Sequence, residues 1–465
     1  MTPAARLAAA IELLEALEAQ PRRPADAIAN DFFRARRFIG GGDRRAVSDR
    51  AWGVVRQRLR LDWWLAWAKC RPTGRMLVAA ELLLVDGLDV EGVLRAFPGG
   101  QYAAAPLNVL EERLLRTLAH HRGAAAGVVG LVHPDMPEGV RLNLPDWVIP
   151  GFRARFGEGL AEEAAAMEQA APLDLRANLL KGSREAAAAA LAAEGFETEP
   201  TRWSPWGLRL PSRRPVTATQ AFTAGLIEVQ DEGSQLIALL TDARPGLRVT
   251  PMGALALISV LTLGFASGLR VADLCAGAGG KTLALAATMQ NKGRITACDV
   301  NAPRLEGAVR RLRRAGVDNA ERHLFAPGDR WAKRRAGQFD RVLVDAPCTG
   351  TGTWRRNPDA RLRTGPQDLA ELRVKQAEIL DMAAELVRPA GRLVYATCSL
   401  LPEEDEDQVA AFLGRHPDFS PLPLAEAWAA GGLAGEPPGV GLYLVTSPAQ
   451  HGTDGFFAAV LQRKA

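Results

Sequence analysis

Between residues 226 and 465, short apolar runs alternate with helical segments, and this pattern most restricts what the chain can fold into. Val271–Leu274, Arg294–Asp299, Asp340–Asp345 and Gly391–Thr397 read as strands with helical stretches between them, and Gly455–Leu461 adds a fifth run near the end. Strands separated by helices cannot pair through tight hairpins. They are expected to lie mostly parallel, with helices covering both faces of the sheet, so the expected fold class here is α/β.

The rest of the chain has a different character. At 465 residues it is too long for one ordinary core, and two or three domains are expected. Residues 1–140 read as helical: apolar side chains recur at three- and four-residue spacing in Leu7–Leu14 and around Trp52–Trp67. Trp63, Trp64 and Trp67 are read as core residues. Residues 141–225 read as a small α+β unit, with a strand at Leu173–Asn178, an Ala-rich helix starting at Ser183 and short strands around Trp203–Leu210.

Charge adds a hint about partners. Net charge is only +4, yet residues 1–70 hold thirteen Lys/Arg against eight Asp/Glu, a local excess of 13 − 8 = +5. A basic N-terminal module suits phosphates, and a solvated helix surface reads the same way. The five cysteines (Cys70, Cys275, Cys298, Cys348, Cys398) form no CxxC pair, and the six histidines form no ligand-spaced cluster. No metal is therefore expected, nor a disulfide scaffold, and the expected compartment is the reducing cytoplasm. Glu12, Glu15 and Glu18 spoil a signal-peptide reading of the first Ala/Leu-rich stretch.

One segment breaks the pattern. Val249–Leu269 carries no charge, and its length suits a membrane span. But Gly-Leu-Arg-Val stands at 246–249 and again at 268–271. Deleting 250–271 would join Pro245-Gly-Leu-Arg-Val to Ala272-Asp-Leu-Cys, a normal turn into a strand. The segment is read as an apolar insertion with a duplicated edge, since a true span would put the helix at Ser234–Leu240 and the first strand on opposite sides of a bilayer.

The chemistry gathers at strand ends. In Val271-Ala-Asp-Leu-Cys-Ala-Gly-Ala-Gly-Gly-Lys-Thr282 a strand passes through a glycine-rich turn into a helix, where backbone approaches a ligand closely and free N–H groups are available. It is not a phosphate-binding Walker loop, because Cys275 stands where that motif needs Gly. Asp299 ends the next strand, where an acidic residue suits a ribose diol. Dinucleotide and S-adenosylmethionine binding both stay open on these residues. Two more strand ends, Val342-Leu-Val-Asp345-Ala-Pro-Cys348 and Leu393-Val-Tyr-Ala-Thr-Cys398, each carry a cysteine just past the strand. A free cysteine is most often a small buried hydrophobe. Two in matching positions on strands about 4.8 Å apart can share one crevice. Thiols there have a use: a thiolate adding to C6 of cytosine turns the unreactive C5 into a carbon that attacks a sulfonium methyl.

Asp-Leu-Cys-Ala-Gly-Ala-Gly-Gly-Lys, Asp299, Gly328-Asp329, Asp345-Ala-Pro-Cys348-Thr-Gly-Thr-Gly, Arg355-Arg-Asn-Pro-Asp359 and Ala396-Thr-Cys398-Ser-x-x-Pro-Glu-Glu404, in this order, resemble the RsmB/Sun (NSUN-related) RNA cytosine-5 methyltransferases. Gln230–Gln235 is similar to the family's lead-in to the catalytic domain, and Asp454-Gly-Phe-Phe457 to its last strand. The resemblance implies a Rossmann-like class I methyltransferase domain over 226–465, an all-α NusB-like RNA-binding domain over 1–140 and a small RRM- or ferredoxin-like α+β subdomain over 141–225. It further implies S-adenosylmethionine held by Cys275, Ala276, Gly277, Ala278, Gly279, Gly280, Lys281, Asp299, Asp329 and Asp345. Cys398 would be the nucleophile, Cys348 would assist product release, and Asp345 would bind the cytosine edge. The implied partner is RNA, ribosomal RNA foremost, with no membrane and a monomeric enzyme. Ala278 departs from the proline of many members, a change that still permits the turn. Arg355 and Arg356 are the expected phosphate contacts. Arg310, Arg311, Arg313 and Arg314 read equally as a solvated face or an RNA track, and the acidic run Glu403–Asp407 reads as a helix start that suits the dipole. Two other classes compete: an RNA-binding or assembly protein whose catalysis the insertion has impaired, and a methyltransferase for DNA or a small molecule.

Overall fold

The computed structural model describes residues 1–122, 131–211, 214–245, 268–439 and 441–465. They divide into two compact units, one of 1–169 with 354–366, the other of 170–353 with 367–465.

The first unit is helical. Pro3–Glu18, Ala25–Ala35, Gly41–Arg56, Arg58–Trp67, Gly74–Leu84, Val90–Ala96 and Val109–Arg122 are its longer early helices. Several begin at side-chain caps: Thr73 accepts from the Met76 amide and Asp89 from the Gly92 amide, satisfying donors a helix start leaves free. Their apolar stripes meet in one core around Leu14, Trp64, Leu77 and Leu83. Trp64 is fully buried, and its indole donates to the Leu131 carbonyl at 2.9 Å. Trp64 is thus core, and Trp63 and Trp67 pack against it partly buried. Helices continue through Leu160–Glu168, and the return of Trp354–Pro366 to this unit has no local signal in the sequence.

The second unit holds two sheets. β1 (Leu173–Ala177), β2 (Glu199–Pro200), β3 (Gly207–Leu210) and β4 (Ile227–Val229) form an antiparallel sheet in the order β2-β3-β1-β4. The helix Arg184–Ala193 packs on it, capped by Ser183. The larger sheet comprises β5 (Arg270–Leu274), β6 (Arg294–Asp299), β7 (Ala320–Leu324), β8 (Phe339–Asp345), β9 (Val387–Thr397), β10 (Phe419–Pro421), β11 (Tyr443–Thr446) and β12 (Phe456–Arg463). Its order is β10-β12-β9-β8-β5-β6-β7, with β11 paired to β12. From β7 to β9 every pairing is parallel, and β12 runs antiparallel to β9. The five strands expected from sequence all form. β7 carries Glu321, Arg322 and His323 at the sheet margin and lacks the apolar pattern of a strand, so periodicity does not reveal it.

Because β6 and β8 flank β5 on opposite sides, chain order reverses at β5, and the crevice beyond its C-terminal end is where such sheets take ligands. Leu269 leads into β5, its carbonyl accepting from the Arg294 amide at 3.0 Å. Residues 250–267, and with them most of the apolar insertion read from the sequence, lie outside the described residues. Among the described residues no helix is long and apolar enough to cross a membrane.

Candidate active site

The turn after β5 is built by backbone conformation. Cys275, Gly277 and Gly279 all have positive φ (62°, 56° and 79°), and the helix Gly280–Thr288 starts directly after them. For Cys275 that conformation is strained by roughly 1–3 kcal/mol, and its thiol, buried beside Asp345 and Asp299, is pushed well above its ordinary range. The Ala276 amide donates to Cys298 O at 2.9 Å, and the Gly277 amide to Asp299 Oδ2 at 2.7 Å. Asp299 also accepts from the Asn301 amide at 2.7 Å, so the acidic end of β6 braces the turn.

The smaller sheet braces it from behind. Arg176, 2% exposed, donates to Gly280 O at 3.1 Å. Arg311 donates to Ala278 O at 2.9 Å and pairs with Glu228 at 3.1 Å, while Arg314 pairs with the same Glu228 and lies 3.7 Å from the Phe222 ring centre. Of the helix arginines read as a solvated face or an RNA track, these two are instead structural. Their guanidinium groups are spent on a carboxylate that β4 buries.

Asp273, Asp299 and Asp345 lie close together near the turn, and Asp329 lies after β7. Asp345 ends β8 and pairs with Lys281 at 2.7 Å. Asp329 accepts from the Trp331 amide at 2.8 Å and meets His323 Nε2 at 2.6 Å. Desolvation opposes ionisation of Asp329, yet that amide and the imidazole hold its carboxyl below the ordinary range. Asp273, which sequence reading passed over, is fully buried. It accepts from Thr282 Oγ1 at 2.5 Å, and burial pushes its pKa up to about 7. Its Oδ1 atom has no hydrogen-bond partner among the described residues.

The two cysteines meet. β8 and β9 are neighbours with Asp345 opposite Ala396, so their tips lie side by side. The sulfurs of Cys348 and Cys398 are 3.4 Å apart. The hydrogen bond to Cys398 holds the Cys348 thiol well above its ordinary pKa, and burial adds to this.

The loops carrying them are held by an acid the sequence reading misassigned. Glu404 and Asp405 are 0% exposed. Glu404 Oε1 accepts from the Thr349 amide and from Gln376 Nε2, each at 3.0 Å, and its carbonyl accepts from the Tyr395 hydroxyl at 2.6 Å. Asp405 accepts from Thr397 Oγ1 at 2.5 Å. A helix does open at Glu406, but Glu404 and Asp405 face inward to anchor the Pro-Cys and Thr-Cys turns rather than facing solvent. The Gly352 amide donates to Cys398 O at 2.9 Å, and Gly455 packs so tightly on Gly352 that a Cβ there would sit 2.2 Å from Gly455 O. Arg355 and Arg356 belong to the helical unit. Arg355 is 5% exposed, its carbonyl accepting from Arg56 at 3.1 Å, and Arg356 is half-buried. Burial among the helices leaves the Arg355 guanidinium poorly placed for a phosphate.

The residues present fit S-adenosylmethionine. A Cβ built at Gly277 would meet nothing nearer than 4.0 Å, and one at Gly280 nothing nearer than 3.9 Å, so the backbone is not crowded there. Carboxylates at the ends of β6 and β8 suit a diol and a cationic donor. A parallel sheet reversing at β5, a glycine turn at its tip and paired thiols on the next two strand ends define a class I S-adenosylmethionine-dependent methyltransferase. The model of the 16S rRNA methyltransferase RsmB/F matches residues 260–462, and that of the RsmF/B-like ferredoxin-like domain matches 144–217. The ribosomal RNA small subunit methyltransferase B of Klebsiella pneumoniae is 31% identical over 441 residues, 92% of this chain and 91% of that protein. Its namesake from Thermus thermophilus is 30% identical, covering 90% and 89%. A methyltransferase homolog from Pyrococcus horikoshii superposes with a TM-score of 0.57 at 29% identity, over 71% of this chain and 100% of that one. The chain belongs to the RsmB/F family of rRNA methyltransferases. It is an RNA methyltransferase that uses S-adenosylmethionine.

Proposed function

We propose that the protein methylates C5 of a cytosine in 16S ribosomal RNA, with Cys398 as the attacking thiolate and Cys348 as the group that releases the product. The observation that supports this reading is the pair of sulfurs 3.4 Å apart on neighbouring strand tips. Bound S-adenosylmethionine supplies the electrophilic methyl group. Gly277, Gly279 and Gly280 would line it, Asp299 and Asp329 would bind its polar groups, and Lys281 would keep Asp345 oriented.

The target base leaves its stack to reach the two strand tips. Cys398 Sγ adds to C6, the electron pair moves to C5, and Asp345 holds the N3/N4 edge of the ring. C5 then takes the methyl group. Once Cys398 is bonded to carbon, the hydrogen bond that holds the Cys348 thiol pKa high is lost. Cys348 loses its proton to solvent and takes the one on C5, directly or through a water. The returning electron pair breaks the C6–S bond and expels Cys398. We further propose that the enzyme acts as a monomer in the cytoplasm. Arg356 is the remaining candidate for a phosphate contact.

Two measurements test the reading. Full-length protein with S-adenosylmethionine and unmodified 16S rRNA is expected to leave one bisulfite-resistant cytosine. Methyl appearing on DNA alone, or RNA bound with no cofactor binding in a calorimetric titration, overturns it. Asp299→Ala is expected to weaken cofactor binding about 10- to 100-fold, the scale of lost hydrogen bonds to a charged group. An unchanged cofactor Kd would remove Asp299 from the binding role.

A further inference from the structure

We propose that a groove on the helical unit, rimmed by Phe38 and Tyr102, holds an unpaired base of the RNA substrate. This rests on the reading of RNA as substrate, and it adds a docking site within the helical unit.

Phe38 and Tyr102 are 76% and 77% exposed, although large aromatic side chains are ordinarily buried. Both line a single cavity of about 630 Å³, a volume typical of ligand sites, with Ala5, Ala8, Ala9 and Ile39 beneath them. Tyr102 is presented by strain: its φ is +67°, in a turn closed by the Gly99 amide donating to Ala104 O at 3.0 Å. A non-glycine residue in that region costs roughly 1–3 kcal/mol, and that cost points to use of the ring it displays. Gln101 Nε2 donates to the Tyr102 hydroxyl at 3.0 Å, which steadies the ring.

Charge selects the occupant. The acidic residue lining the groove, Glu12, is already paired with Arg36 at 2.9 Å, and the Arg36 guanidinium lies 3.9 Å from the Phe32 ring centre. Arg37, next to Phe38, is exposed. Phe38 therefore offers a flat ring with an exposed cation one residue away in the chain, the combination on which unpaired bases stack while the backbone meets the charge. An apolar peptide would bury the rings but would gain nothing from Arg37.

The double variant Phe38→Ala/Tyr102→Ala, in the full chain, is expected to raise the Kd for a 16S rRNA fragment about tenfold or more. KM for that RNA should rise in step, with kcat at saturating RNA unchanged. The slope of affinity against salt should also stay the same, because no phosphate contact is removed. Phe38→Trp/Tyr102→Phe should restore binding. Both rings are exposed, so the melting temperature serves as a folding control. An unchanged RNA Kd in the double-alanine protein overturns the proposal. If 30S subunits are lost while affinity for naked rRNA persists, the groove belongs to a protein partner and the proposal falls. RNA binding that depends on the rings, in a protein that transfers no methyl, would keep this site and sink the catalytic reading instead.

Discussion

Cys398→Ala is expected to reduce single-turnover methyl transfer by about 10³-fold or more and to abolish covalent capture of RNA containing 5-azacytidine. That loss corresponds to at least about 4 kcal/mol of transition-state stabilisation. The size follows from the substrate. C5 of cytosine is too weak a nucleophile to attack a methyl group until a thiolate occupies C6, so removing the nucleophile removes the reactive species itself. Water does not substitute for it, because the sulfur is fixed at the strand tip by the Gly352 amide on its own carbonyl, and Asp405 holds the preceding threonine. S-adenosylmethionine affinity should be nearly unchanged, since the glycine turn and Asp299 stand apart from this change. A Cys398→Ala protein that still forms the 5-azacytidine adduct would give the nucleophilic role to Cys348.

Much of this site was legible in the sequence, and physics explains where the legibility ended. The strands showed because their apolar runs are short and lie between turn residues; β6 begins at Arg294 and ends at Asp299, as the pattern suggests. The two cysteines showed because parallel strands put equivalent tips side by side. What failed to show was set by partners far along the chain. Glu404 resembles any acid in a helix-start run, yet it is anchored by Thr349 and Gln376, 55 and 28 residues away. Arg311 and Arg314 sit on an amphipathic helix like solvent-facing arginines, but Glu228 from another sheet claims both. β7 is a sheet-margin strand with polar residues, so no alternation marks it. Asp273 carried a readable signal: a carboxylate in the middle of an apolar strand needs a partner, and Thr282 stands in the first turn of the following helix.

Cys348→Ala separates the two halves of the reaction. Attack at C6 needs only Cys398, so the first methyl should still be transferred, at about one per enzyme molecule. Release needs a group to take the C5 proton, and alanine supplies none. The methylated adduct should then accumulate as a protein–RNA band stable to denaturing electrophoresis, while steady-state turnover falls roughly 10²–10⁴-fold, the usual contribution of a positioned proton-transfer group. The same substitution removes the thiol that hydrogen-bonds Cys398 at 3.4 Å. Relieved of that partner, Cys398 keeps its nucleophilic role, so the trapped band should form with ordinary cytosine and need no mechanism-based base. This outcome distinguishes a release group from a mere spacer. If Cys348 only filled space, alanine would lower attack and release together, and no adduct would build up. Cys348→Ser is the sharper form of the test, because it keeps the volume and a hydrogen bond but loses the acidity of a thiol. Serine that turns over freely would show that shape alone is required beside Cys398.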